Sequence, residues 1–276
     1  MKNRRGWIGD ILILSATIIT IAVVSYGVAV LIENGKSDRD ELSEKIDKSF
    51  TKAVELSIRN SNEIIDDPVI NDLIKVLQER LKKGLILLSE ENSKTPNITI
   101  LVVDSSTINA VAFPGNLIVI YSGLIKKLDN AEELSGILAH ELGHCVYHDS
   151  RNALIREVGL SIFLSGGAGE LSEEIIRGAI NMKYGRKAEK RADMFAVELL
   201  AASDIDPLYY GKALEKISNI SSEKTPEWLN YTDVHPPIEN RISTAYERSE
   251  QINKTGYKDL NVDWQTVLDN LPKLFQ

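Results

Sequence analysis

The longest apolar run lies near the N-terminus. From Ile11 to Ile32, 22 consecutive residues carry no charge, and most are Ile, Leu, Val or Ala. A hydrocarbon core about 30 Å thick takes about 20 apolar residues of helix at about 1.5 Å each, so this run can span a bilayer. Trp7 and Tyr26 lie near its two ends, where aromatic side chains favour the interface. A cleaved signal peptide has a shorter apolar region, about 7–15 residues. The only small-residue cleavage candidate is Gly27-Val28-Ala29. An uncleaved transmembrane anchor over 11–32 is expected, behind a basic tail over 1–10.

The pattern then thins. Over 33–65 the apolar positions Leu42, Ile46, Phe50 and Val54 form a narrow helical stripe, more stalk than core. Asp66-Asp67-Pro68 marks a helix start, and Val69, Ile70, Leu73, Ile74, Leu77 and Leu81 follow on one face. Two strand-like runs, Ile98–Val103 and Leu117–Tyr121, flank a segment holding Pro114-Gly115. From Asp129 onward the periodicity is helical with short breaks. The expectation is an α+β domain over 66–276, mainly helical with a small sheet.

Composition narrows the partners. The net charge is −8 and no basic block follows the first five residues, which excludes a nucleic-acid surface of clustered Lys and Arg. Cys145 is the single cysteine, so there is no internal disulfide framework. Lys2, Arg4 and Arg5 precede the apolar span and Lys36, Arg39 and Lys45 follow it. The tighter cluster is on the N-terminal side, which puts the N-terminus inside and the large domain outside the cytoplasm. Four N-x-S/T sequons, at Asn97, Asn219, Asn230 and Asn253, matter only in a glycosylating compartment.

The chemistry concentrates in His140-Glu141-Leu142-Gly143-His144, an HExxH pentapeptide inside a helix-periodic stretch. Asp129 or Asn130, with Glu132 or Glu133 three residues later, supplies the helix cap. Residues four apart share a helix face, so both imidazoles can reach one ion. Glu141 is turned about 100° from His140, which lets it act on a metal-activated water without binding the metal. Gly143 leaves little bulk beside the site.

A catalytic zinc site usually has three protein ligands and one open position. His148 continues the i+4 series, but lies about 12 Å along a straight helix from His140, too far to share an ion. It is expected as a helix-end or supporting residue. In Ala188-Glu189-Lys190-Arg191-Ala192-Asp193, two acids stand four apart on a second helix. One carboxylate can bind metal while the other accepts a hydrogen bond from a ligand imidazole. The competing view is a charged surface helix whose acids pair with Arg186, Lys187, Lys190 and Arg191. Asp193, beside Ala192 and Phe195-Ala196, looks too enclosed for that. The two helices together make a His₂Glu zinc set, His140, His144 and Glu189, with Asp193 supporting.

These residues resemble the gluzincin family that includes the CAAX prenyl endopeptidase, the bacterial membrane protease HtpX and periplasmic relatives. Four motifs carry the resemblance in order over residues 66–250. Asn109-Ala110-Val111-Ala112-Phe113-Pro114-Gly115-Asn116 resembles the family's Asn-Ala-x-Ala-x-Pro-Gly-Gly segment, with Asn116 in place of Gly. His140–His144 matches the zinc helix, Glu189-x-x-Ala192-Asp193 the third-ligand motif, and His235-Pro236-Pro237 with Arg241 a late motif near the active site. Integral members have several spans. Here Val158–Ala168 is too short to cross and follows Arg156-Glu157, so the likeness is to compact, single-anchor members.

The resemblance implies a zinc-dependent endopeptidase at the cell membrane, acting on proteins, with Glu141 as general base and a role in protein quality control. It implies His235 and Arg241 as donors to the developing oxyanion. His235 could instead fill the open zinc position and hold the resting enzyme inactive; the transition-state role is the first expectation. A substrate peptide is expected to add along an edge strand at Leu117–Tyr121. Its contacts are expected at Asn109, Ala110, Leu117 and Val119. The competing class is a catalytically silent, zinc-stabilised membrane chaperone or scaffold, against which the presence of Glu141 argues.

Overall fold

The computed structural model describes residues 64–89, 97–158, 183–220, 238–252 and 254–272. It also describes Tyr231, His235 and the positions 47, 48, 51, 52, 54–56, 58 and 59. The expected anchor over 11–32 lies outside them. Among the described residues no helix is long and apolar enough to cross a membrane.

Helix α1, Pro68–Leu88, starts where the sequence marks it. Asp67 caps it, accepting from the Val69 and Ile70 N–H groups, with proline in the first turn. Its stripe of Ile70, Leu73, Ile74, Leu77, Leu81 and Leu85 is buried. Three strands follow: β1, Thr99–Val103; β2, Ala110–Phe113; and β3, Leu117–Tyr121. The sheet order is β1-β3-β2, with β1 parallel and β2 antiparallel to β3. Both faces of the sheet are covered, which explains the unbroken apolar runs. Ile100, Val102, Ala110, Ala112, Ile118 and Ile120 face the helical core. Leu101, Val103, Val111, Phe113, Leu117 and Val119 face a second, smaller one.

This topology corrects the expected substrate strand. Leu117–Tyr121 is the central strand, hydrogen-bonded on both sides, so its backbone has no edge left for a peptide to join. The edge strand beside the HExxH helix is β2, which the apolar pattern did not separate out because it is four residues long and half alanine. The β2–β3 hairpin turns through Gly115 and Asn116, both at positive φ. Asparagine is among the side-chain-bearing residues that best tolerate this region, so the family's second glycine is dispensable here.

The segment expected as a stalk also departs from expectation. The chain from Asp47 onward groups with the domain. The described positions between 47 and 59 are helical, Val54 is fully buried in the second core, and the Thr51 hydroxyl donates to Pro114 O at 2.9 Å. That stretch packs on the domain instead of standing off it.

Among the described residues the remaining elements are helices: α2, Ser122–Ile125; α3, Ala131–Val146; α4, Asp149–Val158; α5, Arg186–Ala202; α6, Leu208–Ile220; α7, Ile238–Gln251; and α8, Trp264–Asn270. Asn130 caps α3, accepting from the Glu133 N–H, while the Glu133 carboxylate reaches back to the Asp129 N–H, so the true cap pair is Asn130 with Glu133. Helix α3 is buried along nearly its whole length. Two glycines set its neighbours. A methyl at Gly136 would come within 2.8 Å of Tyr210 Cα in α6, and one at Gly143 within 3.0 Å of Ala192 Cα in α5. Gly143 therefore serves helix approach, not room at the reacting centre.

Candidate metal centre

Helices α3 and α5 meet at Gly143 and Ala192, and this close approach brings their buried polar residues together. His140, His144, Glu189 and His235 each offer a donor atom, and the four donors lie within 4.8 Å of one another. The Nε2 atoms of His140 and His144 are 3.1 Å apart. Glu189 Oε2 lies 3.7 Å from His140 Nε2, and Glu189 Oε1 lies 3.5 Å from His144 Nε2. Ligands about 2.0–2.2 Å from a tetrahedral zinc stand about 3.3–3.6 Å apart, and the three spacings here bracket that range within about 0.2 Å, close enough for one ion. All four residues are almost wholly buried, which nothing in a solvated helix face requires. His148 stays out of the cluster, exposed at the end of α3 with φ 56°.

Each imidazole of α3 is held from behind. His140 Nδ1 is 3.0 Å from Asp193 Oδ1, and His144 Nδ1 is 3.2 Å from Asp149 Oδ2. Such carboxylates fix the tautomer that leaves Nε2 free for metal. Around Asp193 the network is buried and dense. The Tyr210 hydroxyl donates to Asp193 Oδ1 at 2.5 Å, and Arg241 donates to the same carboxylate from Nε at 3.1 Å and Nη2 at 2.9 Å. Arg241 Nη1 also donates to His235 O at 2.9 Å, and Nη2 reaches the hydroxyls of Tyr210 and Tyr231. Arg241 Nη1 lies 3.1 Å from Glu189 Oε2 as an ion pair, yet without hydrogen-bonding geometry, so that oxygen is left without a hydrogen bond.

Glu141 sits on the other side of the cluster. Its Oε2 accepts from the Ala112 N–H of β2 at 3.0 Å, while its Oε1 is buried with no hydrogen-bond partner and 3.5 Å from His235 Nε2. Tyr184 covers His144, the rings stacked with centroids 3.8 Å apart, and its hydroxyl donates to Ala112 O at 3.4 Å. At the start of β2 the Asn109 side chain accepts from the Ala110 N–H, leaving its buried Nδ2 without a partner.

The electrostatics suit a cation. Burial, with Arg241 nearby, pushes His140 down to about 3, so it is neutral and able to ligate at any ordinary pH. Burial works against the Glu189 charge, yet His235, His144 and Arg241 hold its carboxyl well below the usual range. Asp193 is likewise disfavoured by burial but held at about 2 by Arg241 and His140. Glu141 goes the other way: burial raises it, outweighing His235 and His144. Two carboxylates that both lie against His235 are thus pushed in opposite directions, one towards a permanent charge and one towards proton exchange.

Four residues of the site escaped the sequence. Asp149, Tyr184, Tyr210 and Tyr231 lie in no motif. Tyr210 and Tyr231 are fully buried tyrosines, a type that needs a hydrogen-bond partner when enclosed. That alone does not point to any site.

The donor set and its neighbouring carboxylate are those of a zinc metallopeptidase. Residues 76–249 match the model of peptidase family M48, and the chain belongs to that family. It is 27% identical over 213 residues to the beta-barrel assembly-enhancing protease of Escherichia coli O157:H7, covering 71% of this chain and 42% of that one. It is 30% identical over 180 residues to the metalloprotease YcaL of Escherichia coli K12, covering 62% of this chain and 69% of that one. A mitochondrial metalloendopeptidase of Schizosaccharomyces pombe is 26% identical over 152 residues, 53% of this chain and 45% of that one. The chain thus spans about two fifths of the length of the assembly-enhancing proteases. The family is one of peptidases, and these relatives are named as proteases rather than chaperones.

Proposed function

We propose that this chain is a membrane-anchored endopeptidase in which His140, His144 and Glu189 hold zinc and Glu141 is the general base. What carries the proposal is the meeting of these donors with a buried, unpartnered Glu141 Oε1 beside them. Zinc at these residues supplies a Lewis acid and an activated water. Glu141 accepts a proton at its free oxygen and passes it to the leaving amine, a task that its raised carboxyl suits. Arg241 spends its donors on Asp193, His235 O and the two tyrosines, so it supports the site and does not reach substrate.

A substrate strand would add to β2. Ala110 and Ala112 hold their N–H groups away from β3, where they now donate to the Asn109 and Glu141 side chains, and the unpartnered Nδ2 of Asn109 can donate to a peptide carbonyl. Asn109 and Ala110 therefore remain substrate-contact candidates, whereas Leu117 and Val119 support the sheet from its middle.

His235 has two roles to choose between. Its Nδ1 lies 3.0 Å from Glu189 Oε1 and 3.4 Å from His140 Nε2, inside the donor cluster. That geometry favours a fourth ligand in the resting enzyme over a donor reserved for the transition state. His235→Ala should then raise basal peptidase activity; a fall in kcat at unchanged KM would restore the transition-state role.

The apolar run 11–32 supports a single-pass anchor with the domain outside the cytoplasm. Relatives named for enhancing β-barrel assembly support a part in protein quality control. A reporter fused after Gln276 should read as extracytoplasmic, and a cytoplasmic signal reverses the orientation. The decisive test of the chemistry is Glu141→Gln: it should retain zinc and lose protein cleavage, because an amide accepts no proton. Undiminished cleavage removes Glu141 as the base.

A further inference from the structure

The His144 arm of the site contains a pair that no motif marks. Asp149 follows His144 by five residues, and on a continuous helix that offset of about 140° would turn it away from the imidazole. The chain does not continue as a helix. His148 adopts φ 56°, α3 ends, and α4 starts again at Asp149. The break returns the Asp149 carboxylate to His144, with Oδ2 3.2 Å from Nδ1. Its other oxygen, Oδ1, accepts from Arg191 Nη2 at 2.5 Å. Arg191 comes from α5, two residues beyond Glu189, and its guanidinium lies over the Tyr147 ring at 4.2 Å. The carboxylate is almost buried and Arg191 is about half exposed.

We propose that Asp149 is the positioning residue of the second zinc histidine, with Arg191 as its clamp. Asp149 fixes the Nδ1–H tautomer of His144 and makes its Nε2 the better donor. Arg191 keeps that carboxylate aimed at the imidazole, and it ties α5 to the end of α3 through the same contact. The α3–α5 junction thus carries one positioning carboxylate from each side: Asp193 for His140, Asp149 for His144. This rests on the ligand assignment above.

Zinc affinity of the full chain in detergent, read by competition with a chromophoric chelator, tests it. Wild type must bind one zinc; if it does not, the ligand assignment itself fails. Asp149→Asn should bind zinc about 10–100-fold more weakly, as losses of such carboxylates do. The chain has four histidines, so their ring N–H protons can be followed by nuclear magnetic resonance in the zinc-loaded protein. The downfield His144 Nδ1–H signal should move upfield in Asp149→Asn while that of His140 stays. A purely structural Asp149 would lower the melting temperature and leave both readouts alone, and that result overturns the proposal. Arg191→Ala keeps the carboxylate and alters a partly exposed residue, so it carries the test if Asp149→Asn does not fold. It should weaken zinc a few-fold, with Arg191→Lys recovering part. An unchanged affinity in Arg191→Ala, with an unmoved His144 signal, overturns the proposal as well.

Discussion

His140 and His144 stand one turn apart on α3, and their surroundings are opposites. Behind His140, Asp193 is enclosed by Arg241, Tyr210 and Tyr231, all almost fully buried. Behind His144, Asp149 is held by one arginine whose side chain is 46% exposed. Charges out of water must be matched atom for atom, and a missing partner there costs several kcal/mol. A partner that solvent can replace costs far less. The first arm is therefore built for permanence and the second is open to tuning.

The largest contrast should come from the metal itself. Glu189 stands between the arms, so Glu189→Ala should lose zinc altogether, whereas Asp149→Asn only weakens it. Metal analysis showing full occupancy in Glu189→Ala would remove it as the third ligand.

Arginine removal should separate the arms next. Arg241→Ala strands Asp193 and Glu189 in the interior and should cost about 3–5 kcal/mol of stability in denaturant unfolding. Arg191→Ala should cost about 0–1 kcal/mol. Similar losses for the two would erase the distinction between a buried and an exposed arm.

The junction beneath both arms gives a smaller effect. Gly143→Ala pushes a methyl towards Ala192 Cα and should cost about 1–3 kcal/mol by overpacking, with zinc affinity falling as α3 and α5 separate. An unaltered melting temperature would mean that the helices have room to spare.

Acidity should act in opposite directions on two carboxylates of the metal-free protein. Asp193 in the fold is held at about 2, below its ordinary 3.8. Its contribution is therefore fully present above about pH 4 and fades as pH falls through about 2. Asp193→Asn should lower the melting temperature more at pH 6 than at pH 3. Glu141 runs the other way: burial raises its carboxyl, so folding grows less favourable as pH rises past the ordinary value. Glu141→Gln should then raise the melting temperature of metal-free protein at pH 8, by about 2–4 °C for each kcal/mol recovered. A lower melting temperature would show that the carboxylate is better satisfied than its unpaired oxygen implies.

Much of the fold is legible in the sequence. The capping acid and proline of α1 and its buried stripe follow from local rules that act within a few residues. So does the helix carrying His140, Glu141 and His144, because an i+4 spacing needs no tertiary information to put two rings on one face. Glu189 and Asp193 were legible for the same reason. Beyond that range the pattern fell short. Strand β2 is too short and too rich in alanine for its pattern to register, so the pattern alone points to β3 as the edge. Val54 looked like a stalk position because an apolar stripe does not say what will cover it.

What the sequence by itself determined was the local geometry of each helix and the identity of its chemical groups. Which helices meet was decided only in three dimensions. The approach of Gly143 to Ala192 brings Glu189 to the two histidines, and Arg241, 48 residues past Asp193, completes a charge balance that no spacing encodes. Asp149 shows the limit most plainly. A continuous helix would have turned it away, and a single left-handed residue at His148 turns it back. Backbone reversals of that kind depend on what the following segment packs against, and packing is a property of the whole chain.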